Sequence, residues 1–74
     1  MVSTLSLRSQ IAEVCREIEQ RRKTYPRLVS NGSMRQGVAE LHIANMQAVL
    51  RTLRWLEQNE ATVRDAVAKA GEPR

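Results

Sequence analysis

The stretch RRKTYPRLVSNGSMRQG, residues 21–37, decides the fold of this chain. It places a proline, the adjacent pair Asn31-Gly32 and a second glycine between two long segments whose apolar residues recur at helical spacing. Gly and Asn are the residues that most readily adopt the left-handed backbone conformation with which many helices end. We therefore predict a turn at residues 31–32, with one helix before it and one after it.

The segment before the turn has the periodicity of an amphipathic helix. On a helical wheel with about 100° per residue, one stripe holds Leu7, Ile11, Val14, Cys15, Ile18, Tyr25 and Val29. Pro26 removes a backbone donor, but the stripe stays in phase across it. We expect one helix over about residues 5–30, kinked near Pro26 and N-capped by Thr4 or Ser6. The alternative is a break, with Thr24 capping a new short helix.

The segment after the turn is a longer helix. Ser33-x-x-Gln36 is a capping-box pattern, in which each side chain satisfies the other's free backbone donor. We expect a helix over about residues 34–70, since no breaker follows Gly37 until Gly71, and a frayed tail at 71–74. Its apolar stripe comprises Met34, Val38, Leu41, Met46, Val49, Leu53, Leu56, Val63 and Val67.

The apolar arc of the second helix is too wide for one neighbouring helix. Ile43 and Leu50 extend it on one flank; Ala44, Ala48, Thr52, Trp55 and Ala66 extend it on the other. If the chain folds back at Asn31-Gly32, Leu5 lands near Asn59, and residues from Glu60 onward overhang. We predict a single all-α domain over 1–74, a two-helix antiparallel hairpin that homodimerises into a four-helix bundle. We expect the core or dimer contacts to comprise Val38, Met46, Val49, Leu53, Leu56, Val63 and Val67.

The composition offers few groups for catalysis. The chain has one cysteine and one histidine, so no internal disulfide forms, and no Cys/His spacing suits zinc. Cys15 and His42 lie on apolar stripes, where we interpret them as packing or interface residues. We expect no catalytic residues, metal, cofactor, small-molecule substrate or membrane span, and therefore no enzyme. The absence of a secretion signal favours a cytoplasmic protein.

The charge of the chain is concentrated at the corner between the helices. The net charge is +4, yet outside residues 20–39 seven basic residues face eight acidic ones. The five cations of this basic corner are Arg21, Arg22, Lys23, Arg27 and Arg35. They are candidate contacts for nucleic acid or for a partner protein. Trp55, at the edge of the apolar arc, is either a core or dimer contact or an exposed anchor for a partner.

Residues 17–53 resemble short helical proteins of unassigned activity encoded by tailed phages and prophages of proteobacteria. The resemblance rests on a Tyr-Pro unit, Tyr25-Pro26, followed by Gly32-x-Met34, and on the residues Arg21, Arg22, Leu28, Val29, Ala39, Glu40, Ile43, Met46, Ala48, Val49 and Leu53. Gly37 departs from the good helix formers usual at that position. The resemblance implies a phage origin, with a host-cell cytoplasmic location, but no defined activity.

These observations favour a small accessory protein that acts by binding another protein of the host or phage, for example to inhibit host machinery or a defence system. Trp55 and the basic corner are its candidate contacts. The alternatives are a DNA- or RNA-binding regulator that uses residues 21–35, and a structural interaction protein of a phage assembly.

Overall fold

The computed structural model describes residues 5–71, which form two α-helices and no strand. Helix α1 spans Leu7–Ser30 and helix α2 spans Gln36–Ala70. The helices pack against each other in an elongated body of 61 × 27 × 21 Å. The start of α1 lies beside Glu57 and Glu60 of α2, so the pair is antiparallel. The predicted all-α hairpin with a long second helix is therefore confirmed.

Local signals define α1 at its first turn. Ser6 is the N-cap, and its Oγ accepts a hydrogen bond of 3.0 Å from the backbone N–H of Ser9. The other candidate cap, Thr4, lies outside the described residues. The helix passes through Pro26 and ends at Ser30, so no new helix begins at Thr24. The kink near Pro26 stays a prediction.

The turn is closed by backbone and side-chain hydrogen bonds. The N–H of Asn31 donates to the carbonyl of Arg27 at 3.0 Å, and the N–H of Met34 donates to that of Leu28 at 3.1 Å. The Oδ1 of Asn31 accepts from the N–H of Ser33 at 2.9 Å. Gly32 adopts the left-handed conformation, with φ of 82°. Asn31 does not, because its φ is −89°; its turn-forming role lies in its side chain.

The start of α2 differs from the sequence prediction. The helix begins at Gln36 with Arg35 as N-cap, and no side-chain cap bond forms. The Nε2 of Gln36 instead donates to Oε1 of Glu40, one turn further on, at 2.9 Å. The capping box is absent because Ser33 is part of the turn and Arg35 is still extended, with ψ of 144°. The predicted tail beyond Gly71 lies outside the described residues.

The core between the helices is small. Only Ile18 of α1 and Ala39 of α2 are buried among residues 5–71, at 7% and 5% exposure. The half-buried residues of α2 that follow Ala39 along the same side are Ile43, Met46, Leu50 and Leu53. Helix α1 therefore covers the flank of α2 that carries Ile43 and Leu50, and the other flank stays in solvent.

The exposed flank of α2 carries large apolar side chains. They are Val38, Leu41, Val49, Trp55 and Val67, with Leu41 58% and Trp55 57% exposed. Beyond Glu60, only Val63 is half-buried among the described residues, as expected where α2 extends past the end of α1. Two buried residues within 5–71 are few for a domain that is stable on its own.

Candidate functional site

Two of the five corner cations are paired within α1. Nη1 of Arg21 lies 3.1 Å from Oε2 of Glu17, and Nζ of Lys23 lies 3.6 Å from Oε1 of Glu19. The Nη1 of Arg21 is also shielded from solvent. Both pairs join residues four apart on one helix, the spacing at which opposite charges attract. The predicted charge run therefore presents less free positive charge than the sequence suggests.

The other three corner cations, Arg22, Arg27 and Arg35, are exposed and have no ion-pair partner within residues 5–71. Arg27 lies in the last turn of α1, where a cation complements the negative end of the helix dipole. Arg35 caps α2 at the opposite, positive end, where a cation is unfavourable. Of the five corner cations, only Arg22 lines a groove within the described part of the chain.

An open groove of about 450 Å³ lies between the two helices at the corner. We call it the corner groove. Its apolar floor comes from Tyr25, Pro26 and Val29 of α1 and from Ala39, Ile43 and Ala44 of α2. Pro26 supplies ring surface here without interrupting α1, and the alanines keep the α2 side shallow. The arrangement is a shaped apolar surface that spans about three turns of α2.

The rims of the corner groove carry opposite charges. Arg22 lines it from α1, and Glu40 lines it from α2, held by the hydrogen bond from Gln36. Both charged side chains are exposed. A ligand that fits between them meets an apolar floor with a cation on one side and a carboxylate on the other.

One aromatic contact joins the helices next to the corner groove. The rings of Tyr25 and His42 have centroids 6.3 Å apart and planes tilted by 58°. Tilted pairs at this separation are attractive. The contact therefore helps to set the position of α1 relative to α2 where the groove is formed.

The remaining predicted site residues all lie on α2 and differ in burial. Trp55, Val38, Val49 and Val67 are exposed; Met46, Leu53, Leu56 and Val63 are half-buried. The carbonyl of Trp55 accepts a hydrogen bond of 2.8 Å from Nδ2 of Asn59. Trp55 thus lies outside the contact with α1, and away from the corner groove.

Three further observations concern residues 5–71. No group of three or more His, Cys, Asp or Glu side chains is placed to hold a metal ion. Cys15 is a half-buried free thiol on α1. Neither described helix contains a stretch apolar enough to cross a membrane.

The corner groove itself was not predicted. Sequence reasoning identified Arg22 but missed Glu40, and it assigned Tyr25, Val29 and Ile43 only to apolar stripes. The spacing of Gln36 and Glu40, four residues apart, was the available signal for one rim. The floor had no such signal, because it combines residues from both helices.

No family model matches this chain, and the comparisons with curated proteins and with solved structures give no match either.

Proposed function

We propose that this chain is a non-enzymatic accessory protein of phage origin that acts by binding another protein at the corner groove. The observation that carries the proposal is the apolar floor of Tyr25, Pro26 and Ile43 between two rims of opposite charge, Arg22 and Glu40. The resemblance of residues 17–53 to phage and prophage proteins supports the proposed origin.

The dimensions of the corner groove favour an amphipathic helix as the bound segment. Such helices insert apolar residues spaced three or four apart into a groove between helices. A matching helix has an acidic residue on the flank that meets Arg22 and a basic residue on the flank that meets Glu40. Complementary rim charges of this kind set orientation and partner choice more than affinity.

The ion pairs within α1 favour protein over nucleic acid as the partner. Nucleic-acid affinity grows with the number of phosphates that free cations neutralise. Glu17 and Glu19 partly neutralise Arg21 and Lys23, and Glu40 adds a negative charge beside Arg22. An apolar floor next to a carboxylate is a poor surface for a phosphate backbone, whereas it suits a protein helix.

Capture from nuclease-treated host lysate, with captured proteins identified by mass spectrometry, tests this proposal. Two groove variants, Arg22→Glu and Ala44→Trp, reverse one rim charge and fill the floor. Their matched controls, Arg54→Glu and Ala61→Trp, make the same changes at exposed positions of α2 outside the corner groove. We expect both groove variants to lose a partner that the wild type and both controls retain. Equal capture by all five proteins would refute the proposal.

A gel shift distinguishes the nucleic-acid alternative, which rests on the unpaired cations Arg22, Arg27 and Arg35. The assay uses a short DNA duplex and a single-stranded RNA at low salt. A shift that is lost in the triple Gln variant and that weakens steeply with salt supports the alternative. We expect no shift. The third possibility, a structural role in a phage assembly, predicts that a partner is captured only from the lysate of phage-infected cells and is a phage protein.

A further inference from the structure

We propose that the exposed flank of α2 binds the same flank of a second copy, antiparallel, around a two-fold axis at Thr52. This inference goes beyond the proposed function, because it concerns a different side of α2. Ile43 and Gln47, which line the corner groove, project about 160° away from Asn45 on the exposed flank. A dimer formed through this flank leaves both corner grooves open.

The exposed flank is a continuous stripe along most of α2. Its members recur at spacings of three and four residues: Val38, Leu41, Asn45, Ala48, Val49, Thr52, Trp55, Leu56, Asn59, Val63 and Val67. Of these, Leu56, Asn59 and Val63 are half-buried and the others are exposed. This is the spacing with which helices pack side by side at a shallow angle. The stripe contains all five of the large apolar side chains of α2 that the hairpin leaves exposed.

The stripe is self-complementary about Thr52. A two-fold axis brings each residue opposite a residue of the partner that lies equally far, to within one residue, on the other side of the axis. In the antiparallel arrangement, apolar residues meet apolar residues and an amide meets an amide. The pairs, each written with the partner's residue second, are Val38 with Val67, Leu41 with Val63, Asn45 with Asn59, Ala48 with Trp55, and Val49 with Leu56.

The size of the paired side chains also matches. A shallow groove of about 440 Å³ is lined by Asn45, Ala48, Val49, Thr52 and Leu53. The partner's Trp55 lies opposite Ala48, so the largest side chain of the stripe meets its smallest. Helices in contact pack by fitting the side-chain ridges of one into the grooves of the other, and a large residue opposite a small one allows this fit.

Asn45 and Asn59 select the register. Nδ2 of Asn59 already donates to the carbonyl of Trp55, which leaves Oδ1 of Asn59 as an acceptor. The side-chain amide of Asn45 is exposed and has no hydrogen-bond partner within residues 5–71, so it can donate to that oxygen of the partner. A shift by one turn in either direction places Asn45 against Trp55 or Val63 and buries an unpaired amide, which is costly.

Electrostatics and length favour the antiparallel orientation over the parallel one. A parallel pair brings two basic corners together, whereas the antiparallel pair separates them by nearly the length of α2. It also explains why α2 has 35 residues and α1 only 24. The end of α2 beyond Glu60, which α1 does not cover, lies against Val38 and Leu41 of the partner.

Disulfide trapping of the full chain tests the orientation and the register. In a Cys15→Ala background, one sample carries Leu41→Cys and another carries Val63→Cys. After oxidation with oxidised glutathione, we expect a cross-linked dimer when the two are mixed and at least tenfold less from either alone. Cross-linking of each variant with itself would establish a parallel pair and overturn the proposal. The proposal would also be overturned if the protein is a dimer but the mixed variants give no cross-link.

Light scattering and circular dichroism test the interface itself. We expect the wild type to be a dimer at micromolar concentration and Ala48→Trp to weaken dimerisation at least tenfold. Ala61→Trp, on the opposite side of α2, is the matched control and stays dimeric. A wild type that is a folded monomer at 100-fold higher concentration would overturn the proposal. Neither result bears on partner capture at the corner groove, so the two proposals fail separately.

Discussion

Nη1 of Arg21 lies 3.1 Å from Oε2 of Glu17, one turn earlier on α1. This pair, with Lys23 and Glu19, turns a run of three consecutive cations into one free cation, Arg22, and two paired ones. The free cation lies on the corner groove. The pairing therefore directs the available positive charge of this helix toward the surface that we propose binds a protein.

The first prediction concerns the Arg21–Glu17 pair. Glu17→Gln removes its negative charge, and we expect the free energy of unfolding to fall by no more than about 1 kcal/mol, because partly exposed pairs contribute little. Thermal denaturation followed by circular dichroism measures this. Salt provides the control: the difference between the two proteins should shrink as ionic strength rises. A difference that persists at high salt would show that the effect is not electrostatic.

The second prediction concerns the N-cap of α1. Ser6→Ala leaves the N–H of Ser9 without its acceptor, and we expect a loss of about 1 kcal/mol in stability. Ser9→Ala is the matched control. Because Ser9 lies inside the helix and Ala is the better helix former, the control should be neutral or slightly stabilising. Urea denaturation measures both, and equal effects would contradict the capping role of Ser6.

The third prediction contrasts two glycines. Gly32 has a φ of 82°, and a Cβ there meets nothing within 4 Å, so Gly32→Ala tests backbone strain alone. We expect it to cost about 1–2 kcal/mol. A Cβ at Gly37, in the first turn of α2, also meets open space, but the backbone there is helical. Gly37→Ala should therefore stabilise the chain by up to about 1 kcal/mol. Denaturation of the two variants should give shifts of opposite sign.

The fourth prediction concerns the core. Ile18 is the one large side chain that is buried within residues 5–71. Ile18→Ala should cost at least about 2 kcal/mol, since it removes apolar contacts and leaves a cavity between the helices. Leu5→Ala, at a position that is 67% exposed, should cost less than about 0.5 kcal/mol. Similar losses for the two variants would mean that the α1–α2 contact is not centred on Ile18.

The sequence was sufficient for features that depend on neighbours along the chain. The turn at Asn31-Gly32 and the cap of α1 at Ser6, one of the two predicted candidates, each involve residues that lie close together in the chain. The predicted capping box of Ser33 and Gln36, which also joins residues close together in the chain, does not form. The signals of Ser33 and Gln36 compete with the Asn31 side chain, whose hydrogen bond keeps Ser33 in the turn.

The sequence by itself thus determined two helices, their approximate limits, the turn between them and an α2 with more apolar surface than one neighbour covers. Only the tertiary structure decided which flank of α2 meets α1. Both flanks are apolar enough to pack, and the choice depends on the angle at which the chain leaves the turn. That choice buries Ala39 beside α1, forms the corner groove between Arg22 and Glu40, and leaves Trp55 in solvent. A helical pattern specifies a face, whereas the partner of that face is set by residues far away in the chain.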